Sequence, residues 1–241
     1  MTVTLIPADI SHSHSLDTTT VEQTYYILAT QDISHSHNLH GDAYDSNYPP
    51  AHSDTYVKAT TKNAALFLEA YYATDPTLSK IGSLLNNSWL SDSNEKTNQR
   101  FHIDLGSAKT IRRIYLENFH SLGMANDFGV KNFTFWGSNN AAAFADLTYV
   151  NDGNWTQLII DISIFDIHVA GNIEDPQYVL VDNEVAYRYY VFKFVDNYGE
   201  DEMGVRHGDI AIDHQWNIDE QANMAAIIAA TVAKVMADMA K

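Results

Sequence analysis

Two His-Ser-His triplets, His12-Ser13-His14 and His35-Ser36-His37, are the residues best suited by type and spacing to hold a metal ion. On an extended strand, side chains at i and i+2 share a face, so the two imidazoles of one triplet can reach one ion. One strand supplies two nitrogens. Three symmetry-related strands supply six, and six nitrogens in an octahedron suit iron or nickel, whereas zinc prefers four ligands. Three readings stand. His12, His14, His35 and His37 hold a transition metal (iron or zinc) between subunits, hold zinc within one chain, or are exposed polar residues of a stalk.

The triplets sit in an internal repeat. Asp9-Ile-Ser-His-Ser-His-Ser-Leu-Asp17 recurs as Asp32-Ile-Ser-His-Ser-His-Asn-Leu-His40. The segment between the copies is rich in Thr, Tyr and Val, which favour strands over helices. Two copies of this length point to an extended array rather than a compact unit. This part resembles the His-x-His repeats of tailed-bacteriophage fibres and tail-tip proteins. That resemblance implies a homotrimeric stalk over residues 1–41 with metal on its axis, other virion proteins as partners, and a location on the virion. Residues 42–54, with Pro49-Pro50 and several Gly, Asn and Asp, read as a linker.

A strand-rich region follows, expected over 55–216. Phe101, Ile103 and Leu105 alternate with His102 and Asp104, the period-2 pattern of a half-buried strand, and Gly106 is expected to end it. Ile114 and Leu116 alternate with Arg113, Tyr115 and Glu117. Phe133 and Phe135 alternate with Thr134 and Trp136. The motifs Gln99-x-x-x-Ile103-Asp104-Leu105-Gly106, Ile111-x-x-Ile114 and Phe133-x-Phe135-x-Gly137-Ser138-Asn139-Asn140 follow one another. So do Asp146-Leu147-Thr148, Gly153-x-Trp155-Thr156, the aromatic run Tyr187–Phe194, and Gly208–Ile212. In this order they resemble the discoidin family (coagulation factor 5/8 type C, the galactose-binding-like jelly roll).

The resemblance implies an all-β, discoidin-like jelly-roll β-sandwich that binds ligands on loops at one rim and carries no catalysis. It implies carbohydrate as the ligand. Sugar recognition needs an aromatic ring for the apolar sugar face and planar polar groups for hydroxyl pairs. The loops 118–128 and 197–207 contain both, and His120, Asn126, Tyr198 and Arg206 are the expected carbohydrate contacts. A structural calcium ion is expected near Leu85-Asn86-Asn87-Ser88-Trp89, with Asn86 and Asp209 as candidate ligands, although the family's acidic residue is missing there. Trp89 itself is expected in the core. Residues 62–72 read as a short helix or an irregular covering, and 166–184 as a surface hairpin.

The bulk numbers narrow the partners. The chain has 241 residues and a net charge of −17, with 31 acidic residues against 14 basic ones. Nucleic-acid binding needs clustered Lys and Arg to neutralise phosphate, so it is not expected. No apolar run reaches the ~18–20 residues of a membrane span, and the start of the chain lacks the basic and apolar regions of a signal peptide. There is no cysteine, which excludes disulfides and thiolate metal sites. No Gly-x-Ser-x-Gly, His-Glu-x-x-His or phosphate-binding glycine loop is present, so no enzyme activity is expected.

Residues 217–241 change character. Ile218, Ala222, Ala225, Ala229, Val232, Met236 and Met239 follow a 4-3 spacing, the seam of a helix that packs on its own domain or joins a trimeric bundle. The expected function is that of a non-enzymatic phage tail or fibre protein that binds host-surface carbohydrate. A virion decoration or tail-assembly protein without glycan binding, and a bacterial carbohydrate-binding module, are the alternatives.

Overall fold

The structure, a computed structural model, describes residues 44–213. The His-x-His repeats and the C-terminal heptad segment lie outside the described residues.

The chain folds as a jelly-roll sandwich of two antiparallel sheets. One has the strand order β1(Tyr44–Asn47), β11(Gly204–Asp213), β5(Arg113–Asn118), β9(Pro176–Asp182), β8(Ile159–Ile160), with β3(Trp89–Leu90) added beside β11. The other has the order β2(Val57–Ala59), β4(Gln99–Lys109), β10(Tyr187–Phe194), β6(Phe133–Ser138), β7(Thr156–Gln157). A five-residue helix, α1(Ala141–Ala145), lies between β6 and β7, capped by the Asn140 side chain accepting from the Ala142 N–H. Among the described residues no helix is long and apolar enough to cross a membrane.

Alternation builds the core. Phe101, Ile103 and Leu105 of β4 meet Ile114 and Leu116 of β5, with Phe133, Phe135, Tyr190, Phe192, Phe194 and Ile210. Trp89 is fully buried, stacks on Phe194 at 5.8 Å between ring centroids, and donates its indole N–H to Thr61 O at 2.9 Å. Burying one such aromatic ring contributes about 2–3 kcal/mol.

Arg100, His102 and Asp104 point to the outer face of β4, yet all three are buried. The 139–155 segment lies over Arg100 and His102 and brings Phe144 and Trp155 against Tyr189 and Val191 in a second apolar cluster, while Asp104 takes the Arg188 guanidinium at 2.8 and 2.9 Å. The His102 ring meets Trp155 edge-on at 5.1 Å and hydrogen-bonds Phe144 O through Nδ1 at 2.9 Å. Burial pushes its pKa down to about 4.

Three local expectations are revised. Residues 44–47, inside the expected linker, form β1 and pair along β11 from Tyr44↔Asp213 to Asn47↔Ile210. The chain leaves the sheet only at Pro49-Pro50, where a proline cannot extend a hydrogen-bonded strand. Gly106 does not end β4. It adopts φ +74° within a strand that continues to Lys109, and a Cβ there would lie 2.6 Å from Pro50 Cγ. The expected surface hairpin is instead β9, a full member of the sheet between β5 and β8, because Val179 and Val181 face the core while Tyr178 and Leu180 face out.

Registers fix the two ends of the sandwich. Tyr44 and Asp213 are paired at one end. Ala59, Gln99, Asn118, Phe133, Pro176, Phe194 and Gly204 all lie toward the other, so the loops 60–88, 91–98, 119–132, 161–175 and 195–203 gather there. Where the chain enters and leaves the described sandwich is therefore opposite this loop crown.

Candidate functional site

The crown has its own small core. Leu68, Leu90 and Phe119 are buried together, with Leu84, Ala125 and Phe128 packed against them. The loop residues next to these anchors are driven outward. Phe67 precedes Leu68, Leu85 follows Leu84, and Met124 precedes Ala125. They are 69%, 54% and 65% exposed.

Backbone conformation supports this presentation. Phe67 has φ 54° and Leu122 has φ 55°. Left-handed backbone costs a non-glycine residue about 1 kcal/mol or more, and such strain concentrates at functional sites. Among the described residues, the non-glycine positions with positive φ are Phe67, Asn86, Asn94, Asn98, Leu122, Ala125 and Asn154, and only Asn154 lies away from the crown. The Phe67 turn is closed by the bridge Asn63↔Leu68 and by Asn63 Oδ1 accepting from the Leu66 N–H at 3.0 Å. Asn63 Nδ2 donates to Glu202 Oε1 at 2.8 Å, tying the turn to the 195–203 loop.

The same loops carry polar groups. Asn86 is exposed in a left-handed turn beside Leu85. Asp127 and Glu200 are near enough that the Asp127 carboxylate pushes the Glu200 carboxyl up. Tyr198 lies between their loops, its N–H donating to Asp127 O at 3.2 Å and the Lys131 ammonium 5.4 Å from its ring centroid.

The four expected carbohydrate contacts all lie at this end, where they hold loops. Arg206 is fully buried, and its guanidinium donates to Ser83 O at 2.9 Å and to Ile81 O. Burial lowers its pKa to about 10. His120 is also fully buried. Its Nδ1 accepts from the Gly123 N–H at 3.1 Å, so its Nε2 carries the proton given to Lys80 O at 3.0 Å, and burial disfavours its cationic form. Its ring stacks on His168 at 4.0 Å. Asn126 Nδ2 donates to His168 O at 2.9 Å, and the half-buried Tyr198 donates its hydroxyl to Phe165 O. Arg206 and His120 present no side chain to solvent. The exposed residues are those their loops carry.

Phe67 was not among the expected contacts. Its signal was faint: a large aromatic inside Ala64-Ala65-Leu66-Phe67-Leu68, where a helix would bury it. The two expected calcium residues sit on different elements, Asn86 in the 60–88 loop and Asp209 in β11. Asp209 is buried on the outer face of β11, with Oδ2 accepting from the Tyr48 hydroxyl at 3.1 Å and its carboxyl pushed up by burial. Asn86 shares no hydrogen bond with it. Among the described residues no group of three or more His, Asp or Glu is placed to hold a metal ion.

No family model and no curated relative matches the chain. Among solved structures it is similar to the family 32 CBM from C. perfringens NanJ in complex with galactose, at 13% identity over 65% of this chain and 92% of that one, TM-score 0.46. It is similar to CpGH89CBM32-5 from Clostridium perfringens in complex with GalNAc-β-1,3-galactose, at 11% identity over 64% and 92%, TM-score 0.46. It is also similar to the lectin domain of lectinolysin complexed with Lewis B antigen, at 14% identity over 66% and 92%, TM-score 0.42.

Proposed function

We propose that this protein is a non-catalytic recognition module that binds surface carbohydrate through the loop crown. The carrying observation is the exposed Phe67 ring, held out on left-handed backbone at the end opposite the paired Tyr44 and Asp213. An exposed ring offers a face to the C–H groups of a pyranose, and Asn86, Asp127 and Glu200 offer planar groups to its hydroxyls. A jelly-roll scaffold with rigid strands beneath its loops is suited to present such groups. The resemblance of the sandwich motifs to discoidin domains supports the same reading.

The His-x-His repeats extend the proposal to setting. Their resemblance to phage fibre repeats supports a virion protein, trimerised through a metal-bound stalk, that displays the crown toward a host-surface glycan. Three crowns on one stalk would turn weak single sites into useful avidity. Light scattering with elemental analysis on one sample tests this part: a trimer containing iron or zinc supports it, and a metal-free monomer removes it. Glycan binding is tested separately by glycan-array screening of the full chain and its Phe67→Ala variant.

A structural role is the second reading, favoured by the aliphatic character of Leu85, Leu122 and Met124. There the crown packs on a neighbouring virion subunit and binds no sugar. Retained assembly with lost glycan binding in Phe67→Ala supports the first reading; the reverse supports the second.

A further inference from the structure

The outer face of the β1–β11–β5–β9 sheet carries a second constellation, away from the crown. Arg113 of β5 has its guanidinium carbon 4.6 Å from the Tyr44 ring centroid and 4.8 Å from the Tyr178 ring centroid. The register explains the stack. Arg113 lies opposite Ala211 on β11 and Leu180 on β9, and Tyr115 lies opposite Tyr178. The small Ala211 leaves room for Tyr44 to lean over the guanidinium, while Tyr115 meets Tyr178 edge-on at 5.5 Å. Tyr178 and Leu180 are 50% and 49% exposed.

Two tyrosine rings thus pack against the Arg113 guanidinium, and its Nε is buried without a hydrogen-bond partner. The edge bearing the two Nη groups remains. No direct ion pair or hydrogen bond to another described residue engages it; the nearby Asp209 carboxylate on the same face feels its charge without pairing with it. A guanidinium edge is a fork of parallel N–H donors that matches a carboxylate bidentately. Its flanking tyrosines offer ring surface and hydroxyls to the C–H faces and hydroxyls of an adjoining sugar ring.

The geometry points to a second binding site at Tyr44, Arg113 and Tyr178 that takes a carboxylate-bearing sugar, such as a uronic acid within an acidic polysaccharide. An acidic peptide fits this place less well. Arg113 lies on an interior strand, between β11 and β9, so no open strand edge is offered for a peptide to extend. The site supplies attraction for a negatively charged glycan that the rest of this acidic surface repels, and it is independent of the crown.

The test uses the full-length protein titrated with a galacturonate trimer, the matching neutral galactose trimer and a short poly-glutamate peptide, at low and high salt. The galacturonate trimer is expected to bind and to weaken with salt. Arg113→Lys and Tyr178→Ala should each weaken it about 10-fold or more, because lysine cannot form the planar fork and the exposed Tyr178 contributes the sugar contact. Phe67→Ala should leave it unchanged, which separates this site from the crown. Circular dichroism of Tyr178→Ala confirms that the sheet persists. Equal binding of the neutral trimer in the Phe67→Ala background, equal or better binding of the peptide, no uronate binding, or uronate binding indifferent to both variants overturns the assignment.

Discussion

Arg100 Nη2 lies 2.5 Å from Asp152 Oδ1, although Arg100 is fully buried on the outer face of β4. The same carboxylate accepts from Lys193 Nζ at 2.7 and 2.9 Å, so one acid from the 146–155 loop answers two cations on the sheet. The Tyr149 and Asn151 carbonyls also accept from Arg100 Nη2. Removing Asp152 leaves the buried guanidinium its carbonyl acceptors but no counter-charge, and breaking such a pair is far costlier than its net contribution to folding. Asp152→Ala should lower stability by about 2–3 kcal/mol, read as a shifted urea midpoint. A shift typical of an exposed pair, under about 0.5 kcal/mol, would contradict the buried-clamp account.

Stability should fall on mild acidification. His102 and His207 are buried, and burial lowers both to about 4 from an ordinary value of 6.5. Between those values the unfolded chain binds protons that the folded chain does not. Their stabilisation is complete above pH 6.5 and is lost as pH falls from 6.5 through 4, at most about 3 kcal/mol for each. Glu117 and Asp209, whose carboxyls burial pushes up, act in the opposite direction at the acid end. Urea midpoints measured across this range should therefore fall with pH, and His102→Gln should flatten the slope while keeping a donor for Phe144 O. An unchanged slope in that variant would count against a buried neutral His102.

Tyr48 joins the segment after β1 to the last strand. Its hydroxyl gives Asp209 Oδ2 a partner, while Asp209 Oδ1 is buried without one. Tyr48→Phe should cost about 1–2 kcal/mol, because the buried Asp209 carboxyl would lose its tyrosine donor. Thermal unfolding of wild type and variant checks this.

Phe67 should show opposed effects on stability and binding. Glycine adopts φ 54° without strain, so Phe67→Gly should leave stability unchanged or raise it by up to about 1 kcal/mol. The same change removes the exposed ring and should weaken glycan binding about 10-fold or more. Parallel melting and binding measurements on one preparation would reveal the trade-off, and a destabilised variant would mean that the ring packs rather than displays.

Much of the sandwich was legible because its strands alternate. Phe101/Ile103/Leu105, Ile114/Leu116 and Phe133/Phe135 carry a period of two that only a half-buried strand explains, and the structure places all of them in the core. β1 was not legible, since Tyr44-Asp45-Ser46-Asn47 lacks apolar alternation and is held by backbone pairing to β11. β9 was hidden because both of its faces carry apolar residues, so the outward Tyr178 and Leu180 masked the inward Val179 and Val181. The crown was located in the loops 118–128 and 197–207, but which side chains face outward there was not. His120 and Arg206 look like ligand contacts by type, yet each has loop carbonyls from residues 80–83 within reach, a relationship that only folding creates. Phe67 faces out because its neighbour Leu68 was taken into the crown's small core.

Sugar recognition through Phe67 carries the proposed function. The most direct measurement is titration calorimetry of the full chain and of Phe67→Ala against the strongest hits of a glycan array. Saturable binding by the wild-type chain and at least a 10-fold loss in the variant are expected, with unfolding curves that coincide. No binding by either chain, or equal binding by both, would contradict recognition through Phe67.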